Sequence, residues 1–372
     1  MKISKLIIIN FIILVALLEI PLRFYNPFGF RLKGDNIILE NNTIRHFIVN
    51  NDKIIHSKNS LGLRGPELIN NDNLKIITVG GSTTENFYHD DKKTWSYLLY
   101  KRLAKIINTD LWLNNAGLDG HSTYGHIRLI EDYLYKLKPD IIIFLIGTND
   151  VNLDKENTYD INYDFSFSNI LKTENQRYFI KNLGSYFATK SEFFSLLLNF
   201  YRYYYKTNNN HIYSNGNVTN NPYNYLEHDR EIFLLKDFVT EQNNIKKKLL
   251  NQYEERIKKI ISLSKLHNFT PIFLTQPTIY GSKSYINLTN DNINYADRFF
   301  LNLELYNNLL RELTFLHKIH LIDIAKKIPK NPYFFSDKIH FTEKGLEYVA
   351  KLVANDFFKN CHIIIDKELC NN

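Results

Sequence analysis

The fold is indicated first by the stretch Lys75-Ile76-Ile77-Thr78-Val79-Gly80-Gly81-Ser82-Thr83-Thr84. Its first five residues form a short, largely apolar run, which is typical of a strand covered on both faces of a sheet. Two glycines follow and allow the backbone to turn tightly, which leaves Ser82 close to the main chain and open to a ligand. A serine held in this way at the exit of a strand is a candidate nucleophile.

Four further strand-like runs follow this one along the chain. With the first, they cover residues 75–79, 111–115, 140–146, 270–274 and 319–323. The segments between them carry apolar residues at i, i+3 and i+4, which is typical of helices with one buried stripe. This alternation predicts an α/β protein, a flavodoxin-like three-layer α/β/α sandwich with a five-stranded parallel sheet. Ligands of such sheets bind beyond the carboxyl ends of the strands, which is where Ser82 falls.

The chain begins with an apolar segment that predicts an N-terminal hydrophobic helix. Lys2 and Lys5 precede a run over residues 6–18, which has the length of a signal-peptide core and is marginal for a membrane span. Because no Ala-x-Ala-type cleavage site follows, we expect a retained signal anchor or transmembrane helix over residues 1–24, with membrane contact through residues 5–24. The two lysines favour an exported catalytic domain, periplasmic or extracellular. Arg23, Arg31 and Lys33 follow the segment and weaken this prediction.

Composition limits the classes of partner and cofactor. The 372 residues carry a formal net charge of +7 at a pI of about 9.0, but the lysines are scattered, and we expect no nucleic-acid partner. The only cysteines, Cys361 and Cys370, can form a disulfide, but the sequence does not decide whether they do. With no further cysteines, we expect no structural zinc site. We expect neither a metal nor an organic cofactor.

The predicted domain order follows from these patterns. A lead-in segment over residues 25–70 precedes a catalytic domain over residues 71–360, and residues 361–372 form a tail. An insertion over residues 151–240 interrupts the alternation of strands and helices and is rich in Asn, Tyr and Phe. Its aromatic patch over residues 193–205 either contacts sugar rings or a bilayer, or belongs to a helix packed over the sheet.

Three later segments carry polar residues that accompany the Ser82 turn. They are Asn115-Ala116-Gly117-Leu118-Asp119-Gly120, Gly147-Thr148-Asn149-Asp150 and Asp337-Lys338-Ile339-His340. Together with the Ser82 turn, these segments make four blocks that resemble the SGNH (GDSL-type) hydrolase family. Residues 59–67 are similar to a sequence motif found in membrane-attached bacterial members of that family. The resemblance covers about residues 55–150 and 265–358. One position departs from it, because Gly81 stands where the family has an aspartate.

The residues themselves suggest how Ser82 would react. A serine hydroxyl needs a base, and His340 is the candidate, since histidine titrates near neutral pH. Asp337 lies three residues earlier, so one turn can bring its carboxylate beside the imidazole and fix the tautomer. For the oxyanion hole, the resemblance implies the backbone N–H groups of Ser82 and Gly120 and the side-chain amide of Asn149. Gly117 is the alternative to Gly120 as a donor.

The sequence does not fix the roles of several polar residues near the predicted site. Arg64 either neutralises a carboxylate or contacts substrate. We expect surface-loop roles rather than catalysis for Asp119, His121 and His126. We expect Asp150 and Asp323 to cap or brace adjacent loops.

The resemblance implies a serine esterase that forms an acyl-enzyme on Ser82. We expect its substrate to be an acylated small molecule or glycan, and favour O-acyl groups, mainly acetyl, on envelope or extracellular glycans. Two alternatives remain open. One is an acyltransferase that uses the same residues to acylate a polysaccharide. The other is a non-catalytic glycan-binding or assembly protein that keeps the fold.

Overall fold

A computed structural model describes residues 2–24, 32–33, 36–37, 39–49, 52–69, 74–153, 187–188, 190–197, 244–281, 290–365 and 370. The chain divides into two compact units. One comprises residues 1–40 and 163–217, and the other comprises residues 41–162 and 218–372. The predicted insertion over residues 151–240 lies mostly outside the described residues, and the predicted domain boundaries stay predictions.

The larger unit is built on a five-stranded parallel sheet. Its strands in chain order are β1 (Leu74–Gly80), β2 (Leu111–Asn115), β3 (Ile141–Ile146), β4 (Thr270–Thr275) and β5 (His320–Ile322). Their spatial order is β2-β1-β3-β4-β5, and every neighbouring pair is parallel. This is the flavodoxin-like order, so the predicted fold class is confirmed.

Seven α-helices of the larger unit are described. They are α1 (Ser82–Glu85), α2 (Trp95–Leu103), α3 (Thr123–Asp132), α4 (Asn244–His267), α5 (Asn290–His317), α6 (Ile324–Lys327) and α7 (Glu343–Ile364). Helix α2 packs against α7, while α4 packs against both α3 and α5. Short 3₁₀ turns cover Asp91–Lys93, Leu134–Leu137 and Thr148–Asp150.

Burial of the strands explains why this sheet is covered on both faces. All residues of β1 and β3 are buried, because both lie inside the sheet and have helices above and below. Alternate strand residues contribute to one apolar cluster that contains Ile76, Ile143 and Trp95 together with α7 residues such as Phe357. The strands therefore hold their carboxyl ends in a fixed row, which is where the polar motifs come together.

A hairpin and an extended segment precede the sheet in the larger unit. Thr43–Val49 pairs antiparallel with Asp52–Lys58. The following segment then runs beside β2, where Arg64 forms an isolated antiparallel bridge with Asn115. The Arg64 and Asn115 backbones exchange two hydrogen bonds of 2.9 Å each.

At the other end of the larger unit, Cys361 and Cys370 form a disulfide. The bond joins the last turn of α7 to the C-terminal tail, where Cys370 bridges to Ile107.

The smaller unit contains the predicted N-terminal helix, over Lys2–Phe24. Its Glu19 carboxylate accepts hydrogen bonds from the Ser191 hydroxyl (2.8 Å) and from the backbone N–H groups of Glu192 (2.9 Å) and Phe193 (3.2 Å). Among the helices of the described residues, none has both the length and the apolar character that a membrane crossing requires. The predicted transmembrane segment is therefore not supported by the structure.

Candidate active site

Ser82 lies at the carboxyl edge of the sheet, as the first residue of α1. The turn before it requires glycine, because a Cβ at Gly80 would lie 2.2 Å from the Thr84 hydroxyl oxygen and 2.6 Å from the Leu145 carbonyl oxygen. The backbone N–H groups of Thr84 and Glu85 both donate to the Gly81 carbonyl at 2.9 Å. This tight turn holds the Ser82 side chain half-buried at the end of β1.

Ser82, His340 and Asp337 form one continuous chain of hydrogen bonds. The Ser82 Oγ lies 2.7 Å from His340 Nε2, and His340 Nδ1 lies 2.6 Å from Asp337 Oδ2. The other carboxylate oxygen of Asp337 accepts from the backbone N–H groups of His340 (2.7 Å) and Ile339 (2.8 Å). With Nδ1 protonated toward the carboxylate, Nε2 is left to accept the Ser82 proton.

The Asp337 carboxylate and the His340 imidazole stabilise each other's charged forms. Burial opposes protonation of His340, but its hydrogen bond to Asp337 and the charge of that carboxylate outweigh burial and raise the pKa of His340. Burial likewise opposes ionisation of Asp337, yet the His340 hydrogen bond and charge lower the pKa of Asp337 to about 2. The pair is thus an ionised carboxylate beside an imidazole whose raised pKa makes it a stronger proton acceptor when it is neutral.

The loop that carries His340 is held by contacts with the segment after β4 and with the start of α7. The Lys338 carbonyl accepts hydrogen bonds from the Thr278 hydroxyl (2.7 Å) and from the Ile279 backbone N–H (3.1 Å), both of which follow β4. Phe335 and Phe341 flank the loop and are both buried. Thr342 then caps α7 by accepting from the Gly345 backbone N–H at 3.1 Å. The base is therefore held by the sheet end and by the last helix together.

The candidate oxyanion donors lie in two turns next to Ser82. Gly120 has a φ of +74°, in the region that favours glycine, and Leu118 in the same turn donates to the Gly80 carbonyl at 3.0 Å. Within the part of the chain that the structure describes, the backbone N–H groups of Ser82 and Gly120 donate to no other group. The Asn149 amide donates to the His121 carbonyl at 2.9 Å.

The packing of Gly117 distinguishes it from Gly120. Its N–H already donates to the Asn115 side chain at 2.8 Å, and a Cβ at this position would lie 2.4 Å from the Glu85 nitrogen. Gly117 therefore serves close packing against α1, and Gly120 is the better candidate for an oxyanion donor.

Gly81 and Asn149 are in close contact, which bears on the departure at position 81. A Cβ on Gly81 would lie 2.4 Å from the Asn149 amide nitrogen. The amide thus occupies the space that any side chain at position 81 would need.

Comparisons with known proteins give weak likenesses. Neither a protein-family model nor a curated protein matches this chain. Among solved structures, it is similar to an acetylxylan esterase from Geobacillus stearothermophilus, with 12% identity, 76% of this chain and 93% of that chain covered, and a TM-score of 0.41. A GDSL-like lipase from Bacteroides thetaiotaomicron is 11% identical, with 79% and 92% covered and a TM-score of 0.40. A lipase/acylhydrolase from Enterococcus faecalis is 13% identical, with 76% and 95% covered and a TM-score of 0.40. At these values the likenesses carry no argument about activity, which must come from the site itself.

Glu85 is a site residue that sequence reasoning missed. Its carboxylate, buried at the end of α1, accepts from the Asp119 backbone N–H at 2.5 Å, one residue before Gly120. Lys58 Nζ and His56 Nε2 lie 3.9 Å and 4.0 Å from its other oxygen. Glu85 therefore connects the nucleophile helix to the Gly120 turn. Sequence spacing gave no signal for it, because the contact spans 34 residues.

Arg64 binds the loop after α1 rather than facing the site. Its Nε donates to Asp91 at 2.6 Å, and Nη1 donates to the carbonyls of Glu85 (2.7 Å) and Asn86 (2.8 Å). Nη2 donates to the carbonyl of His89, whose imidazole lies 3.2 Å from the Phe341 carbonyl oxygen. Of its two predicted roles, the structure favours the neutralisation of a carboxylate, because the guanidinium is buried and its nitrogens are occupied.

Two histidines near the site do not lie where the sequence suggested. His121 and His126 are each only 1% exposed, so the prediction of surface-loop roles is wrong. They face inward because helix α3 begins directly after the Gly120 turn and packs this segment against the sheet. Burial lowers the pKa of His126 to about 3, which keeps its imidazole neutral.

Asp150 and Asp323 brace loops, as predicted. Asp150 is buried and accepts from the Thr123 N–H and from Arg256, at 3.1 Å each, which ties the loop after β3 to α3 and α4. Burial raises the pKa of Asp150 in spite of Arg256. Asp323 accepts from two nitrogens of Arg311 at 2.8 Å and 3.0 Å.

Among the described residues, no group of three or more His, Cys, Asp or Glu side chains is arranged so that it could bind a metal ion.

Proposed function

We propose that this protein is a serine ester hydrolase that works through an acyl-enzyme on Ser82. The observation that carries the proposal is the chain of hydrogen bonds from the Ser82 hydroxyl through the His340 imidazole to the Asp337 carboxylate, at 2.7 Å and 2.6 Å. A nucleophile, a base and an orienting group in this order make up the arrangement needed for acyl transfer.

The chemistry has two steps. In the first, His340 Nε2 takes the Ser82 proton while Ser82 Oγ attacks the ester carbonyl, and the same proton then passes to the departing alcohol oxygen. This leaves an acyl-Ser82 ester and neutral His340. In the second, His340 takes a proton from water, the resulting hydroxide displaces Ser82, and the proton returns to Ser82 Oγ. Asp337 stays ionised throughout and stabilises the imidazolium.

The negative charge on the attacked carbonyl oxygen needs donors at the sheet edge. We assign this role to the backbone N–H groups of Ser82 and Gly120 and to the Asn149 amide. The two unoccupied N–H groups and the contact of Asn149 with Gly81 support the assignment. Donors already in place when the charge develops contribute more than donors that must first reorient.

For the substrate, we propose O-acyl esters, mainly acetyl, of glycans outside the cytosol. The disulfide between Cys361 and Cys370 supports an oxidising compartment, because cytosolic thiols are normally kept reduced. The half-exposed side chains of His340 and Asp337 support a site that is open enough for a bulky alcohol.

The test is hydrolysis of p-nitrophenyl acetate by the wild-type protein and by Ser82→Ala and His340→Ala, with His362→Ala as the control. His362 is an exposed histidine of α7, away from the sheet edge. We expect turnover to fall in both site variants to the background rate and to stay at the wild-type rate in the control. Labelling of Ser82 by a fluorophosphonate provides a second readout.

Two results would change the proposal. Equal turnover in wild type and Ser82→Ala, with no labelling of Ser82, would favour the non-catalytic glycan-binding protein. Labelling of Ser82 with acyl transfer to an added sugar alcohol exceeding hydrolysis would favour the acyltransferase.

A further inference from the structure

A cluster of aromatic rings and lysines lies beside the loop that carries Asp337 and His340. We call it the aromatic–lysine cluster, and its members are Tyr280, Tyr295, Phe299, Phe300, Lys330 and Lys338. They come from the segment after β4, from the first part of α5 and from the segments on either side of Phe335. None of them takes part in the Ser82–His340–Asp337 chain.

The contacts of the cluster fall into two groups. The Lys338 ammonium lies 3.2 Å from the Tyr295 hydroxyl and 4.9 Å from the centre of the Phe299 ring. The Tyr280 ring meets the Phe299 ring edge-on, with centres 5.7 Å apart. The Lys330 ammonium lies 4.2 Å above the Phe300 ring. The side chains therefore form two groups of rings and cations, one around Lys338 and one around Lys330, which are neighbours along the chain at Phe299-Phe300.

The backbone brings this cluster next to the loop that carries His340. Lys338 precedes His340 by two residues, and its carbonyl is bound by Thr278 and Ile279 at 2.7 Å and 3.1 Å. Tyr280 follows Ile279 directly. Lys338 and Tyr280 therefore belong to the two segments whose contacts hold the His340 loop.

The two lysines of the cluster lack the carboxylate partners that Lys93 and Lys344 have. Among the described residues, neither Lys330 nor Lys338 has a carboxylate within 4.0 Å, whereas Lys93 and Lys344 pair with glutamates at 2.6 Å and 3.0 Å. Burial lowers the pKa of Lys330 to about 8, against a weaker opposing effect of Glu304. The cluster therefore contains two lysines that have no ion-pair partner among the described residues.

Such a surface complements one class of ligand. An ammonium group without an acidic partner attracts a carboxylate, and a flat ring offers an apolar face to the apolar face of a sugar. Of the four rings, only Tyr295 is largely exposed, at 52%, and the other three are half-buried. Tyr295 is therefore the ring of the cluster that a ligand can reach most readily.

We propose, resting on the esterase function above, that the aromatic–lysine cluster is a substrate subsite for a carboxylate-bearing sugar of an O-acylated anionic glycan. The subsite holds a uronic acid residue by its carboxylate, at Lys338 and Lys330, and by its ring face, at Tyr295. The acylated hydroxyl group then reaches Ser82.

The first experiment measures specificity. The kcat/KM values are compared for O-acetylated oligogalacturonate, which is anionic, for O-acetylated xylo-oligosaccharide, which is neutral, and for p-nitrophenyl acetate. We expect the wild-type protein to prefer the anionic glycan. In Lys330→Gln, Lys338→Gln and Tyr295→Ala, the ratio of kcat/KM for oligogalacturonate to that for p-nitrophenyl acetate should fall about tenfold each. The preference should also weaken with added salt.

A matched control comes from α7. Lys351 is exposed and has no partner among the described residues, and Lys351→Gln should leave the ratio unchanged. Equal ratios in wild type and all three cluster variants, with p-nitrophenyl acetate still hydrolysed, would overturn the subsite while the esterase function stands.

The second experiment measures binding, so that the two proposals fail separately. Tetragalacturonate is titrated into Ser82→Ala and into the same protein with Lys338→Gln, followed by calorimetry. Weaker binding in the double variant would support the subsite even if the wild-type protein hydrolysed no ester. Equal binding in both proteins would overturn the subsite, as would lysine-dependent binding to phosphatidylglycerol vesicles without any binding of tetragalacturonate.

Discussion

Whether Ser82 can lose its proton depends on the charge of the His340 imidazole. The hydrogen bond and the charge of Asp337 raise the pKa of His340 above its ordinary value of 6.5, although burial opposes this. Below that raised pKa the imidazole is a cation and cannot accept a proton from Ser82. Above it the imidazole is neutral, and general-base catalysis is possible. The midpoint of the acid limb in a pH–rate profile therefore depends on the contact between Asp337 and His340.

We expect kcat/KM for p-nitrophenyl acetate to rise with pH along one limb whose midpoint lies above 6.5. In Asp337→Asn the charge that raises the pKa is gone, so the midpoint should move to lower pH, and kcat should fall about 10³–10⁴-fold. A pH–rate profile from about pH 5 to about pH 9 measures both effects. Glu347→Gln, an exposed carboxylate on α7, serves as the control. A midpoint that stays in place in Asp337→Asn would contradict the assignment.

The contact between Gly81 and Asn149 gives a test of the oxyanion hole. Asn149→Ala removes a donor and should lower kcat about 10²–10³-fold. In Gly81→Ala the added methyl group would displace the Asn149 amide, so a large part of that loss should appear without any change at position 149. The double variant should then be little worse than Asn149→Ala. Fully additive losses, measured as kcat for p-nitrophenyl acetate, would show that the two residues act independently.

The Gly120 turn depends on the helix that carries the nucleophile, because Glu85 joins the two elements. Glu85→Ala removes the acceptor of the Asp119 N–H and should let the turn shift, so kcat should fall about tenfold or more with little change in KM. Glu85→Gln keeps an oxygen acceptor and should recover part of the rate. Circular dichroism and thermal unfolding check that both variants fold. A rise in KM with unchanged kcat would argue against a role in positioning the oxyanion donor.

Helices and strands were largely predictable because their signals are local. The five apolar runs and the i, i+3, i+4 stripes between them depend only on which side chains must be buried, and β1 and β3 are indeed buried throughout. The partners of Glu85 and Arg64 were not predictable in the same way. Each partner lies 21 or more residues away, and no propensity or spacing encodes which loop a buried side chain meets.

The same limit explains the error for His121 and His126. A polar residue in a predicted turn is usually exposed, but here the turn is covered because α3 begins immediately after it. The blocks around Ser82, Gly120 and Asn149 were found because each follows a strand end, and the parallel sheet brings its strand ends to one edge. The Asp337–His340 block was found because it lies just before the last helix. The unpartnered lysines of the aromatic–lysine cluster could be recognised only from the fold.

For the molecule as a whole, the disulfide restrains the C-terminal tail. Cys361 and Cys370 are nine positions apart, so removing the cross-link should lower the free energy of unfolding by about 2–3 kcal/mol in the chain-entropy description. We expect Cys370→Ser to show this loss in urea unfolding, and expect the wild-type protein under reducing conditions to behave alike. A loss in Cys370→Ser that reduction of the wild-type protein does not reproduce would point to packing of the cysteine rather than to the bond.

The Arg64 contacts have a consequence for where a functional protein has to start. A shortened protein beginning at Leu74 would keep every strand of the five-stranded sheet and every candidate catalytic residue. It would lack the guanidinium that binds the carbonyls of Glu85, Asn86 and His89 and the carboxylate of Asp91. We expect this shortened form to unfold at lower temperature and to be inactive, and a form beginning at Asn41 to keep its activity. On this expectation, the shortest active form of the protein includes residues well before the first strand of its sheet.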